Sequence, residues 1–308
     1  MLKVENITKT YAGHDALTDV SFDVPKGSIF GLLGPNGAGK TSLIRIINQI
    51  TGADSGQILF NGEPLSPKHI ARIGYLPEER GLYKKMKVGE QALYLAMLKG
   101  MSKAEAKAKL AEWFKRFDVE SWWDKKVEEL SKGMAQKIQF ITTVMHAPEF
   151  IILDEPFSGF DPINTNLVKG EIMRLAENGT TIMLSTHNMG SVEEICTHIA
   201  LINNSKKVLE GPVAEVKEKF KEGVYDLEFK GEMLAFTNAL WVNFELISHK
   251  VIGDKVAIAR IRLLNGATVN DLLKVLIPVV EVRAVNEVIP IMNDIFIKVV
   301  ENKTDSDE

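Results

Sequence analysis

Residues 34–41 read GPNGAGKT, the pattern G-x-x-x-x-G-K-T, set between the apolar run Ser28-Ile29-Phe30-Gly31-Leu32-Leu33 and the helix-like run Ser42-Leu43-Ile44-Arg45-Ile46-Ile47. Strand, glycine-rich loop and helix in that order constrain the fold more than any other feature of the chain. Gly34, Gly37 and Gly39 permit positive φ and carry no Cβ, so successive backbone N–H groups can turn inward. Together with the helix N-terminus, the stretch Gly34, Pro35, Asn36, Gly37, Ala38, Gly39, Lys40, Thr41 and Ser42 makes an anion cradle. In such a cradle the Lys40 ammonium reaches β/γ-phosphates and the Thr41 hydroxyl binds Mg²⁺.

Two further motifs stand at distances that fit this loop. Phe150-Ile151-Ile152-Leu153 is short and wholly apolar, the pattern of a central parallel strand, and it ends in Asp154-Glu155. Asp154 is placed to hold Mg²⁺, directly or through water, and Glu155 to polarise an attacking water as general base. A third run, Thr180 to Ser185, ends in Thr186-His187, and His187 is a candidate sensor of the γ-phosphate. All three motifs fall at strand C-terminal ends, where open α/β sheets build their sites.

With these residues in view the chain resembles the ATP-binding subunit of an ABC transporter over about residues 1–215. Leu130-Ser131-Lys132-Gly133-Met134 is similar to the family's LSGGQ signature, and Ser158-Gly159-Phe160-Asp161 to its D-loop. Tyr11 stands where these cassettes place the aromatic that stacks on adenine. Glu78, in Gly74-Tyr75-Leu76-Pro77-Glu78, stands at the Q-loop, and His187 matches the H-loop. The resemblance implies an α/β fold: a P-loop NTPase ABC cassette with a mixed-sheet core, an antiparallel β layer and a helical subdomain. It implies ATP and Mg²⁺ as ligands, with Lys40, Glu78, Glu155 and His187 catalytic and Thr41, Asp154 and Glu78 toward the metal. Ser131 and Gly133 are implied to serve the nucleotide of a second, facing cassette, in a homo- or heterodimer. The stretch Pro-Glu-Glu-Arg-Gly-Leu-Tyr and the extra C-terminal domain look most like the sodium-efflux, NatA-like branch of export-type ATPases.

Two departures stand out. Lys132 and Met134 replace a Gly and the Gln of the signature, leaving Ser131 and Gly133, and Lys132 adds a cation near phosphate. Segment 130–134 also reads as an ordinary helix start with Ser131 as N-cap. Glu78 replaces the usual Gln, which brings a carboxylate toward Mg²⁺, or is a solvated loop residue.

The 308 residues suffice for two domains, and 45% hydrophobic with 25% charged is ordinary for a globular protein. A net charge of −4 argues against a nucleic-acid partner, which calls for a basic footprint. One cysteine, Cys196, excludes an internal disulfide framework, and the six histidines show no paired metal-ligand spacing. The N-terminus lacks the apolar stretch of a signal peptide, and no run approaches the ~20 apolar residues that span a bilayer. A transporter ATPase of this kind needs a separate integral-membrane permease, with the cassette cytoplasmic and peripheral on the inner face of the cell membrane. Competing readings are a soluble ABC ATPase of translation or DNA repair and a regulator that binds nucleotide without hydrolysis. Double cassettes, coiled-coil insertions and zinc modules are not visible here, and Glu155 argues against the regulator.

The organisation expected is a cassette over 1–215 with its helical subdomain at about 87–146, a solvated mixed-charge connector over 216–223, a small α+β domain over 224–301 and a disordered acidic tail over 302–308. Trp113, Phe114, Phe117, Trp122 and Trp123 are expected to form the core of the helical subdomain. The small domain shows alternation at Tyr225–Phe229 and Lys255–Ile261, and helical stretches near 232–240, 269–277 and 289–297. This suggests a ferredoxin-like arrangement.

Overall fold

The structure, a computed structural model, describes residues 1–79 and 81–301. Arg80 and the expected tail at 302–308 lie outside the described residues. The chain divides into two compact units, Met1–Val213 with the chain from Lys298, and Ala214–Ile297.

In the first unit, β1 (Leu2–Tyr11) and β2 (His14–Val24) precede β3 (Ile29–Leu33), which feeds through the glycine loop into α1 (Lys40–Ile47). Next come β4 (Ser55–Phe60), β5 (Glu63–Pro64) and β6 (Ile73–Leu76), then α2 (Val88–Leu98), α3 (Lys103–Arg116) and α4 (Lys132–Val144). The unit continues through β7 (Phe150–Asp154), α5 (Pro162–Glu177), β8 (Thr181–Thr186), α6 (Met189–Ile195), β9 (His198–Asn203) and β10 (Lys206–Pro212). The strands form a four-stranded sheet, β2-β1-β4-β5, and a six-stranded sheet, β10-β9-β3-β8-β7-β6. The first is antiparallel throughout. The second is parallel from β9 to β6, with β10 antiparallel at its edge. The wholly apolar strands β3 and β7 are buried at every position, as strands covered on both faces must be.

In the helical segment, Ser102 caps α3 and exchanges hydrogen bonds with Glu105, a capping box. Trp113, Phe114 and Phe117 are buried, and Phe140 of α4 packs on Phe117 at a centroid distance of 5.6 Å. Trp122 and Trp123 are only half-buried. The Trp123 ring lies so close to Gly89 that a Cβ there would meet it at 2.3 Å. Cys196 is buried, and burial pushes its thiol up to about 12, in keeping with a small packing residue.

The second unit holds α7 (Val213–Lys219, whose first residue belongs to the first unit), β11 (Val224–Lys230), α8 (Met233–Ala239), β12 (Phe244–Gly253), β13 (Val256–Leu263), α9 (Val269–Leu276), β14 (Glu281–Glu287) and the start of α10 (Met292–Glu301). Its sheet runs β12-β13-β11-β14, antiparallel at every pairing, so the order β-α-β-β-α-β closes in the ferredoxin-like way. Phe229 and Phe236 stack at 4.1 Å in its core. Two details differ from expectation. The connector helix starts at Val213, ends at Lys219 and buries Val216, so it is not solvated throughout. Helix α10 starts at Met292 rather than 289, because Pro290 keeps Ile289 out of helical geometry. Strands β12 and β14, which the sequence analysis does not single out, lie at the sheet edges and expose much of their length.

Candidate active site

The parallel strands β6, β7, β8 and β3 are neighbours, and their C-terminal ends set Glu78, Asp154-Glu155, His187 and the glycine loop side by side. The loop is held by close backbone approaches. Gly34 has φ +151°, and a Cβ there would stand 2.2 Å from the Ile202 carbonyl oxygen. Gly39 has φ +110°, and a Cβ there would stand 2.2 Å from the Ala16 carbonyl oxygen. Side chains at either position would both clash and strain the backbone.

The resulting cleft, about 350 Å³, is lined by Tyr11, Asn36, Gly37, Gly39, Lys40, Thr41, Ser42, Glu78, Asp154, Glu155 and His187, with His14 and Ala16. Gly34, Pro35 and Ala38, also expected in the cradle, are not among its lining residues. The Lys40 ammonium donates to the carbonyls of Gly34 (2.8 Å) and Pro35 (3.0 Å). Burial lowers the Lys40 pKa, while the charges of Glu155, Asp154 and Glu78 act against that shift. Asp154 is buried, and burial pushes its carboxyl above the usual range, with Glu78 and Glu155 adding to the push and Lys40 opposing it. Glu78 is exposed at the mouth of the cleft.

Glu155 adopts φ +47°, unusual for a residue with a side chain. Its amide donates to the Ser185 carbonyl (2.9 Å), and its Oε1 accepts from the His187 amide (3.0 Å). Thr186 Oγ1 donates to Oε2 at 3.2 Å, and His187 Nδ1 lies 2.6 Å from Oε1. The carboxylate is thus fixed by the strand end of β8.

Two lining residues, His14 and Ala16, carry no motif in the sequence analysis. Tyr11 and His14 face each other across a two-residue turn in which Ala12 and Gly13 both have positive φ. Hairpin logic applied to Tyr11-Ala12-Gly13-His14 pairs the two residues from sequence alone. Ser131 and Gly133 do not line the cleft of their own chain. Ser131 caps α4, its Oγ accepting from the Met134 amide at 3.3 Å, as the helix-start reading expects.

The donor set suits Mg²⁺. It offers the buried carboxylate of Asp154, the Thr41 hydroxyl and the exposed carboxylate of Glu78, all oxygen ligands around one cleft. Mg²⁺ is bound in such sites by one or two carboxylates plus substrate phosphates and water, so no all-protein cage is needed. Among the described residues no cluster of three His, Cys, Asp or Glu forms one.

The ABC transporter family profile matches residues 17–158, and a second profile, the C-terminal domain of DrrA1-3-like ATP-binding proteins, matches residues 211–300. The chain is 47% identical over 220 residues to the ABC transporter ATP-binding protein YhaQ of Bacillus subtilis, covering 71% of this chain and 74% of that protein. It is 32% identical to the Nod factor export ATP-binding protein I of Cupriavidus metallidurans, covering 70% of this chain and 72% of that one. Among solved structures, an ATP-binding subunit of an ABC transporter superposes with a TM-score of 0.68 at 29% identity, over 71% of this chain and 93% of its own.

Proposed function

The chain belongs to the ATP-binding proteins of ABC transporters, and from that premise we propose that it hydrolyses Mg-ATP to drive export through a separate integral-membrane permease. The observation that carries hydrolysis, rather than binding alone, is Glu155. It stands beside buried Asp154 in the cleft of Lys40, with its carboxylate anchored by Thr186 and His187. A carboxylate so fixed can take a proton from a water aligned on the γ-phosphate. That pairing disfavours a non-hydrolysing regulator.

Phosphoryl transfer is chiefly a matter of positioning and charge neutralisation. Lys40 and the loop amides hold the β/γ-phosphates, Tyr11 stacks on adenine, Glu155 serves as general base and His187 keeps it aimed. Mg²⁺, held toward Thr41, Asp154 and Glu78, supplies charge neutralisation at the phosphates. Ser131 and Gly133 complete the facing site of a second cassette, so that ATP closes the pair and hydrolysis reopens it.

The export direction is supported by the Nod factor export relative and by the DrrA-like C-terminal region, and within it we place the chain in the NatA-like branch. The cassette is assigned to residues 1–215 and the accessory domain to 224–301. Among the described residues no helix is long and apolar enough to cross a membrane, in keeping with a peripheral position on the permease at the inner membrane face. Tyr83, 56% exposed, and Met86, half-buried, lie in the segment after Glu78 and are assigned to permease docking. The competing soluble role in translation or repair has no feature of the cleft in its favour.

Radiolabelled Mg-ATP binding to the purified chain tests the nucleotide assignment. Lys40→Ala should abolish binding, and binding at the parent level would contradict it. Stimulation of turnover by a co-expressed permease tests the coupling, and turnover unchanged by a stably bound permease would contradict it.

A further inference from the structure

Strands β7 and β8 pair as far as Asp154 and Ser185, and the Glu155 amide adds one more bond to the Ser185 carbonyl at 2.9 Å. Past that point the two chains diverge. One turns through Pro156 and Phe157 toward α5, with the Ser158 amide donating to the Glu155 carbonyl (3.1 Å) and the Phe160 amide to the Phe157 carbonyl (3.3 Å). The other passes His187 and enters α6 behind its cap Asn188. Among the described residues no backbone-to-backbone hydrogen bond joins the two branches beyond Glu155. Glu155 rides on the first branch and His187 on the second, so their contact at 2.6 Å needs the branches held together.

Lys169, midway along α5, reaches both. It is 8% exposed, and a lysine so buried is rarely found without a partner. Its ammonium lies 2.5 Å from Glu194 Oε2 on α6 and 5.5 Å from the centroid of the Phe157 ring on the other branch. Charge holds the first contact and the ring quadrupole the second. Lys169 does not line the cleft, so it does not meet the nucleotide there.

We propose that Lys169 is a positioning residue for hydrolysis: its ammonium ties the Phe157 turn to α6 and so keeps the Glu155 carboxylate and the His187 ring in contact. The proposal rests on the reading of Glu155 as general base. Thr186 and His187 reach that carboxylate directly from the end of β8. Lys169 acts one step back, on the elements that carry the pair.

Single-turnover phosphate release and equilibrium ATP binding, measured on full-length variants, test this. Lys169→Met keeps an apolar stem beside Phe157 and removes the charge. It should slow phosphate release about ten-fold, within the roughly 10²-fold that a misplacement of about 1 Å costs, and change ATP affinity less than about two-fold. Lys169→Arg should stay within about three-fold of the parent, since the guanidinium keeps the charge and stacks on a ring. Glu194→Ala, at a side chain 53% exposed, should slow release as Lys169→Met does, and the double variant should be no slower than Lys169→Met alone.

The deciding comparison is made on His187→Ala. With the contact already gone, Lys169→Met should slow release by less than about two-fold more, because residues that act as a unit are not additive. A further loss of about ten-fold on His187→Ala, parent-like release from Lys169→Met, or a loss of ATP affinity in step with release each overturns the positioning role. If Lys169→Met does not fold, Glu194→Ala on both backgrounds carries the same comparison. None of these results touches the base assignment, which fails only if Glu155→Gln itself releases phosphate at the parent rate.

Discussion

His187 Nδ1 lies 2.6 Å from Glu155 Oε1, and the His187 amide donates to the same oxygen at 3.0 Å. A carboxylate only accepts, so in this pair Nδ1 carries the proton that it donates. Backbone and ring thus hold one carboxylate oxygen from a single residue, and Glu155 keeps a left-handed φ of +47° within this arrangement. His187→Ala should lower the turnover number by about 10²-fold or more while ATP affinity changes little. Loss of affinity in proportion to turnover would mean that His187 binds nucleotide rather than orienting Glu155.

Tyr11, 40% exposed, lines the cleft beside His14. Tyr11→Ala should weaken ATP and ADP binding alike by about ten-fold, in line with roughly 1–3 kcal/mol for a base stacked on an aromatic ring. Tyr11→Phe should be close to the parent. Equilibrium binding of both nucleotides to the two variants measures this, and a selective loss of ATP over ADP would remove Tyr11 from the adenine end.

Asp154 bears on stability as well as on the metal. Burial raises its pKa above the unfolded value. The charged form therefore costs stability at neutral pH, and that cost disappears as pH falls through the folded pKa. Asp154→Asn should raise the unfolding temperature at pH 7, by about 2–4 °C for each kcal/mol recovered, and the gap should close in acid. Mg-ATP turnover should be lost in the same variant. Calorimetry across pH with no nucleotide present checks the sign, and a variant less stable at neutral pH would contradict it.

Docking on the permease is a separate matter from chemistry. Tyr83→Ala with Met86→Ala should leave the basal ATPase intact and weaken co-purification with the permease. Glu78→Ala should lower turnover or its stimulation without releasing the permease. Undiminished permease binding by the double variant would discard the docking assignment.

The cleft was legible because its motifs are contiguous and each marks a strand end. The run GPNGAGKT, Asp154-Glu155 after Phe150–Leu153, and His187 after Thr181–Thr186 lie side by side once β3, β8 and β7 pair. His14 escaped notice because its place depends on hairpin pairing with Tyr11 rather than on a motif of its own. In the second unit, edge strands such as β12, exposed along most of its length, carry no alternation between buried and solvent faces to be read. The bridge from Lys169 to Glu194 was not readable either, since the two residues meet only through the fold.

The central claim, that this cleft hydrolyses ATP with Glu155 as general base, is tested most directly by single-turnover phosphate release from Glu155→Gln. The variant should bind Mg-ATP as tightly as the parent and release phosphate about 10²–10⁴-fold more slowly, since an amide cannot accept the proton. Phosphate release at the parent rate would contradict the account.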